Sequence, residues 1–271
     1  MPKKNNSVEL AQKIRISTLK MVHRAKASHI GSALSIVDIL AVLYSQFMKI
    51  SKAEINSIDR DRFILSKGHA CAALYSTLAE LEIIPKEQLI TYGEDFSWLM
   101  NHGSHKVLGV EFSSGALGHG LSFGVGKALA AKIAGQKWRT VVLLSDGEMD
   151  EGSNWEALMF SAHHQLDNLI AIIDYNKLQS LDTIANTLNL EPLVQKLEAF
   201  GSKVVEIDGH NHNQIYEALM TKSFNKPLTI LAHTIKGKGI SFMENQIQWH
   251  YKNPNDYELS TALNELGNIN A

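Results

Sequence analysis

Five short apolar runs punctuate this chain: Phe63-Ile64-Leu65, Val141-Val142-Leu143-Leu144, Leu169-Ile170-Ala171-Ile172-Ile173, Val204-Val205-Glu206-Ile207 and Leu228-Thr229-Ile230-Leu231-Ala232. Polar residues do not alternate through them, so strands buried on both faces are expected. Between them the period lengthens to that of a helix. Gly68-His69 leads into a helix through Leu81, and a small-residue helix runs from His119 to Ala134, stopped by Gly135. Others run from Ser153 (with Glu156 completing a capping box), from Leu190 to Phe200 before Gly201, and from Asn213 to Met220. Upstream, the first 27 residues read as an amphipathic helix ending near Ala27. A second opens at Ser35, with Asp38 as its capping-box partner and Ile36, Ile39, Leu40, Leu43 and Phe47 on one side. Unalternating strands separated by helices predict an α/β fold, a doubly wound, mostly parallel sheet with helices on both faces.

Composition narrows the class. With 45% apolar and 20% charged residues, 271 positions can bury one sizeable core, so residues 1–271 are read as a single domain. A net charge of −2 and no basic stripe argue against a nucleic-acid partner. The most apolar stretch, Ile36 to Met48, is broken by Asp38 and too short to cross a bilayer, so no membrane association is expected. The single cysteine, Cys71, lies in Ala70-Cys71-Ala72-Ala73-Leu74 and reads as core in a reducing compartment. No apolar stretch follows Lys3 and Lys4, so no signal peptide is read, and a cytoplasmic location is expected.

Ligands of parallel sheets collect beyond the carboxyl ends of the strands. After the strand at 141–144 comes Ser145-Asp146-Gly147-Glu148-Met149-Asp150-Glu151-Gly152, and after that at 169–173 comes Asp174-Tyr175-Asn176-Lys177-Leu178. Asp146 and Asn176, 30 positions apart, would project from neighbouring strand ends. A carboxylate and an amide oxygen are hard ligands suited to Mg²⁺, which takes its other oxygens from phosphate and water. Gly147 would let backbone approach a phosphate. Asp-Gly and Asn-Lys are also ordinary turn pairs, and either alone would read as a turn. The acidic run fails as an EF-hand, with Glu151 at its sixth position and Ala157 at its twelfth. Gly118-His119-Gly120 continues to Phe123 and so fails as a dinucleotide fingerprint. Gly126-Lys127-Ala128 fails as a P-loop. The stretch from Gly93 to Gly118 has no period and is rich in glycine and histidine, as functional loops are.

Asp146-Gly147 followed by Asn176 resembles the thiamine-diphosphate signature, with Ser145 where glycine usually opens it. Further blocks resemble the N-terminal part of transketolase: Ser28-His29-Ile30-Gly31-Ser32-Ala33-Leu34-Ser35, Asp61 to Ala70, Gly109 to Leu121 and Ile235 to Asn245. The likeness runs from about residue 10 to 255 and implies the diphosphate-binding domain of a thiamine-diphosphate enzyme. It implies Mg²⁺ on Asp146, Asn176 and the Leu178 carbonyl. The Gly147 amide and His69 would touch the diphosphate. Gly115 and Leu117 would border the aminopyrimidine, and Glu151 matches a glutamate that couples paired active sites. His29, His102 and His250 match histidines that handle the sugar, work suited to a side chain that donates and accepts protons near neutral pH. Their surroundings depart from the family pattern: Ser28 and Ile30 flank His29, Asn101 and Gly103 flank His102, and Tyr251 follows His250. Of the other histidines, His105, His163, His164 and His212 read as solvated, His210 as part of a turn and cap, and His233 stays open.

A full transketolase carries a second, pyrimidine-binding domain that supplies an activating glutamate. The resemblance therefore implies a two-chain enzyme, this chain with a C-terminal partner, assembled as two copies of each. Together they would move a two-carbon ketol unit from a ketose, free or phosphorylated, to an aldose. The alternatives are a half of a related enzyme, similar to 1-deoxyxylulose-phosphate synthase or to the alpha chain of a 2-oxo acid dehydrogenase, or a cofactor-binding chain without turnover.

Overall fold

The computed structural model describes residues 6–268. The reading of the extreme N-terminus concerns positions outside that range. Five parallel strands form one sheet: β1 (Arg62–Leu65), β2 (Thr140–Ser145), β3 (Leu169–Tyr175), β4 (Lys203–Asp208) and β5 (Leu228–His233). Their spatial order is β1-β2-β3-β5-β4. All five expected strands are present, each within two residues of its apolar run.

Because successive side chains point to opposite faces, each apolar run feeds two cores. Val141, Leu143, Ile170, Ile172 and Ile230 face one core, and Val142, Leu144, Ala171, Ile173 and Leu231 face the other. The first core is closed by the helices α1 (Ser7–Ala25), α2 (Ile30–Leu34), α3 (Val37–Val42) and α4 (Cys71–Glu80). The second is closed by α5 (Gly120–Ile133), α6 (Gly152–His163), α7 (Ile184–Thr187) and α8 (Leu193–Ala199). The last two helices, α9 (His212–Leu219) and α10 (Asp256–Asn268), return to the first face. The α/β sandwich read from the sequence is the fold observed. Strand β4 is the exception to burial on both faces: it lies at the edge, where Lys203, Glu206 and Asp208 are exposed.

Two local expectations fail for one reason: the serine meant to cap a helix is taken by a distant partner. No single helix opens at Ser35. The segment instead forms α2, α3 and a π-turn over Leu43–Phe47. The Ser35 hydroxyl donates to Asp174 Oδ2 (2.7 Å), and Asp38 pairs with Arg15 and with His210 Nδ1 (2.8 Å) and His212 Nε2 (3.0 Å). Likewise Ser153 donates to the Gly118 carbonyl (2.7 Å), and α6 begins at Gly152. His212 is thus not solvated. His210 does stand in a turn, its N–H donating to Asp208 Oδ1 (2.9 Å), but its Nε2 also accepts from Ile235 N (2.8 Å). With Nε2 an acceptor, His210 Nδ1 carries the proton toward Asp38. Cys71 is fully buried, its thiol pushed up to about 12 by burial. No helix among the described residues is long and apolar enough to cross a membrane.

Candidate active site

The carboxyl ends of β1, β2, β3 and β5 converge on a cavity of about 240 Å³. Its lining includes His29, His69, His102, Gly115, Leu117, Asp146, Gly147, Asn176, Leu178 and His250, all residues singled out from the sequence. They come from seven separate stretches of the chain. Glu151 is the exception: it is exposed at the N-cap of α6 and does not line the cavity.

At the floor, Asp174 is completely buried at the end of β3. The Lys67 ammonium and the Thr234 hydroxyl bond it, along with Ser35 and Asn176 Nδ2 (2.9 Å). The amide of Asn176 is thereby oriented: its nitrogen faces Asp174, and its oxygen accepts from Leu178 N (3.1 Å). Asp146 is also buried. Its backbone N–H donates to the Asp174 carbonyl (3.2 Å), and its carboxylate accepts from Gly147 N (2.8 Å) and Lys177 N (2.6 Å). Burial, reinforced by the charge of Asp174, pushes the Asp146 carboxyl up to about 7. Asp174 itself is held below the usual carboxylate range despite its burial, because Lys67 pairs with it. Asp146 thus has the electrostatics of an acid short of a cation.

That shortage, with three oxygens of hard character, fits Mg²⁺. Asp146, Asn176 Oδ1 and the Leu178 carbonyl would supply part of an octahedron and leave positions for phosphate and water. In this structure the Leu178 carbonyl lies 3.2 Å from Lys236 Nζ, which also contacts the Gln179 carbonyl (2.9 Å) and His250 Nδ1 (3.3 Å). The Gly147 amide is engaged by Asp146.

Above this polar floor stand four imidazoles. The His29 ring lies 5.3 Å from that of His69, 5.8 Å from His102 and 5.0 Å from His250. His29 has a left-handed backbone (φ 73°), unusual for a residue with a side chain, and its N–H donates to the His250 carbonyl (2.8 Å). That bond ties the loop before α2 to the loop before α10. Gly115 (φ 153°) passes beneath His102, where an added Cβ would lie 3.2 Å from the imidazole. At Gly68 a Cβ would lie 2.5 Å from Ser114 Oγ, so only glycine brings the His69 turn this close to the Gly115 loop. Burial lowers His29 to about 4 and His250 to about 3, with the charge of Lys236 adding to both, and it places His69 well below its ordinary value. Near neutral pH these three rings are uncharged, each able to donate from one nitrogen and accept at the other.

The family model described as transketolase, thiamine diphosphate binding domain, matches residues 6–269. The chain belongs to the transketolase N-terminal family. It is 40% identical over 258 residues to one of the subunits of the apulose-4-phosphate transketolase of Phocaeicola vulgatus, covering 94% of this chain and 92% of that one. It is 34% identical over 245 residues to human transketolase, covering 90% of this chain and 39% of the human protein. Among solved structures it matches the transketolase of Leishmania mexicana (TM-score 0.89, 28% identity, 97% of this chain and 41% of that one). A transketolase variant from Pichia stipitis matches with a TM-score of 0.91 at 28% identity, over 96% of this chain and 40% of that one. The chain thus spans about two fifths of the length of the solved transketolases it matches.

Sequence reasoning missed the polar residues that hold this transketolase-type site together. Lys67, Asp174 and Lys236 each follow or end a strand, so position was the available signal. Glu148 is a fourth: buried beside the site, it accepts from the Ser66 hydroxyl, Gly118 N (3.0 Å) and Ser145 N (3.3 Å). His105 and His163 are exposed as expected, and His233, left open, pairs with Glu206 (3.0 Å).

Two outcomes follow from this geometry. Asp174→Ala strands a buried Lys67 ammonium and should cost about 3–5 kcal/mol of stability; a urea midpoint matching wild type would show that the pair is dispensable. The histidines set a pH response. Their folded values lie below the ordinary 6.5, so the unfolded chain takes up protons first. Their contribution is complete above pH 6.5 and is lost as the pH falls toward 4. The double variant His29→Asn, His250→Asn is expected to lose less stability than wild type between pH 6.5 and 4.5, followed by urea unfolding at fixed ionic strength. Parallel pH profiles would contradict this.

Proposed function

We propose that this chain is the N-terminal subunit of a two-chain transketolase that binds thiamine diphosphate and Mg²⁺. With a pyrimidine-binding partner chain it would transfer a two-carbon ketol unit from a ketose to an aldose. Family membership supports the cofactor. The observation that carries the reading is the convergence of an under-neutralised Asp146, the oriented Asn176 and the neutral histidine cluster on one cavity. Relatives whose names mark them as transketolase subunits support a partner chain; besides the Phocaeicola vulgatus protein they include the 6-deoxy-6-sulfo-D-fructose transketolase subunit SqwG of a Clostridium species (40% identical). Two copies of each chain and a cytoplasmic location complete the reading, with residues 1–271 acting as one diphosphate-binding domain.

Thiamine diphosphate, when bound, supplies the carbon nucleophile and the electron sink for breaking a carbon–carbon bond. The protein binds and orients. Asp146, Asn176 and the Leu178 carbonyl would hold Mg²⁺, and the Gly147 amide and His69 would face the diphosphate. Gly115 and Leu117 would border the aminopyrimidine. His29, His102 and His250 would hold the sugar's oxygens, with the uncharged His29 and His250 accepting or donating a hydroxyl proton without first losing one to solvent. Glu151, exposed at the start of α6, would couple paired active sites by meeting another chain rather than the sugar. The partner would cover the open side and keep water from the reacting carbon.

Ligand that binds only the folded state stabilises it by about 2.7 kcal/mol at a hundredfold excess over Kd. The assembled complex should therefore show a thermal shift with thiamine diphosphate that requires Mg²⁺ and disappears in Asp146→Ala. A shift that survives the substitution would remove Asp146 from the metal site. Ketol transfer should be absent when this chain is assayed alone with saturating cofactor and Mg²⁺, and should appear when the partner chain is added. Full turnover by the isolated chain would defeat the two-chain reading.

A further inference from the structure

One aromatic residue lines the cavity without a part in holding metal, diphosphate or sugar. The Tyr251 ring lies 4.7 Å from the His250 imidazole and 6.3 Å from that of His29, inclined to both. It is 58% exposed while still lining the cavity, so one edge meets the histidines and the rest faces outward. It stands at the rim.

The backbone behind it is anchored. Trp249 is fully buried, with Nε1 donating to the Phe242 carbonyl (3.1 Å). The His250 carbonyl is held by His29 N, and Tyr251 N donates to the Gln248 carbonyl (3.2 Å). Lys252 N also donates to the Gln248 carbonyl (2.9 Å), so the backbone is held on both sides of the ring and two side-chain torsions remain to move it. The ring packs edge to face against His250 and keeps its bulk at the rim. A bulky ring at that rim would discriminate by length. A short aldehyde clears the ring, whereas each added carbon must pass beside it.

Resting on the ketol-transfer reading, we propose that Tyr251 is a specificity-determining residue whose ring, packed against His29 and His250, selects against longer aldose acceptors. Its partners are the histidines at the sugar end and not Asp146 or Asn176, so removing the ring should leave the cofactor in place.

The test uses the complex of this chain with its partner, saturated with thiamine diphosphate and Mg²⁺. Hydroxypyruvate serves as ketol donor, with glycolaldehyde and D-erythrose as acceptors. Selection through one apolar wall is expected to be roughly tenfold, so Tyr251→Gly should raise the erythrose-to-glycolaldehyde ratio of kcat/KM by about that factor. Tyr251→Phe should keep the wild-type ratio, because the ring and not the hydroxyl forms the wall. The Mg²⁺-dependent thermal shift of Tyr251→Gly should match wild type. An unchanged ratio in an active Tyr251→Gly complex overturns the proposal, as does an equal change in Tyr251→Phe. Loss of the thermal shift also overturns it, by placing the residue in the cofactor site. A wild-type complex without any ketol transfer overturns the reading of the function, and the proposal with it.

Discussion

A single buried carboxylate organises the catalytic end of this protein. Asp174, at the carboxyl end of the central strand β3, has no exposed surface. Such a charge is tolerated in a protein interior only when it is paired and fully hydrogen-bonded. Its partners arrive from everywhere the site is built. Lys67 comes from the turn after β1, Ser35 from between α2 and α3, Thr234 from the turn after β5, and Asn176 from its own strand end. Satisfying Asp174 therefore fixes four segments in register before any ligand arrives. The orientation of the Asn176 amide follows from this one charge.

The same hub sets the electrostatics above it. Lys67 pairs with Asp174, and its charge only partly offsets the burial and the acidic neighbour that push the Asp146 carboxyl upward. The floor thus favours a divalent cation. Burial and the charge of Lys236 both lower the histidines and keep His29 and His250 uncharged. A cation-seeking floor and a neutral, hydrogen-bonding rim suit a charged diphosphate below a polyhydroxylated, uncharged reacting group. The division arises from where burial falls hardest, not from any surplus of charge in the chain as a whole.

The fold was legible where the signal was apolar and local. Val141 to Leu144 and Leu169 to Ile173 read as strands because neither face reaches water, and their side chains do divide between two cores. The edge strand β4 departed from that reading because Glu206 and its neighbours face solvent. The capping boxes misled because a serine hydroxyl forms whichever bond the tertiary structure offers. Ser35 found Asp174, 139 positions away, and Ser153 found the Gly118 carbonyl. His212 looked solvated for the same reason, since its partner Asp38 lies 174 positions upstream. His29, His69, His102, Gly115, Leu117, Leu178 and His250 were named only through the resemblance to transketolase, whereas Asp146, Gly147 and Asn176 were legible because turn chemistry at strand ends is short-range. The residues beneath them, Lys67, Asp174 and Lys236, were not, because a buried polar residue is explained only by partners the linear sequence does not place beside it.

That contrast bears on how the site could change while the fold persists. Asp174 and its partners answer to one another, so substituting any of them leaves a buried polar group unpaired, a cost of about 1–3 kcal/mol or more. The rim is under no such constraint. Tyr251 and His102 are exposed, and their surroundings depart from the family pattern while Asp146 and Asn176 at the floor keep theirs. A rim residue can be exchanged without orphaning anything below it. Change at the exposed rim is therefore cheap in stability, and change at the buried floor is costly. Exposed rim positions such as Tyr251 can change while the hub at Asp174 stays as it is.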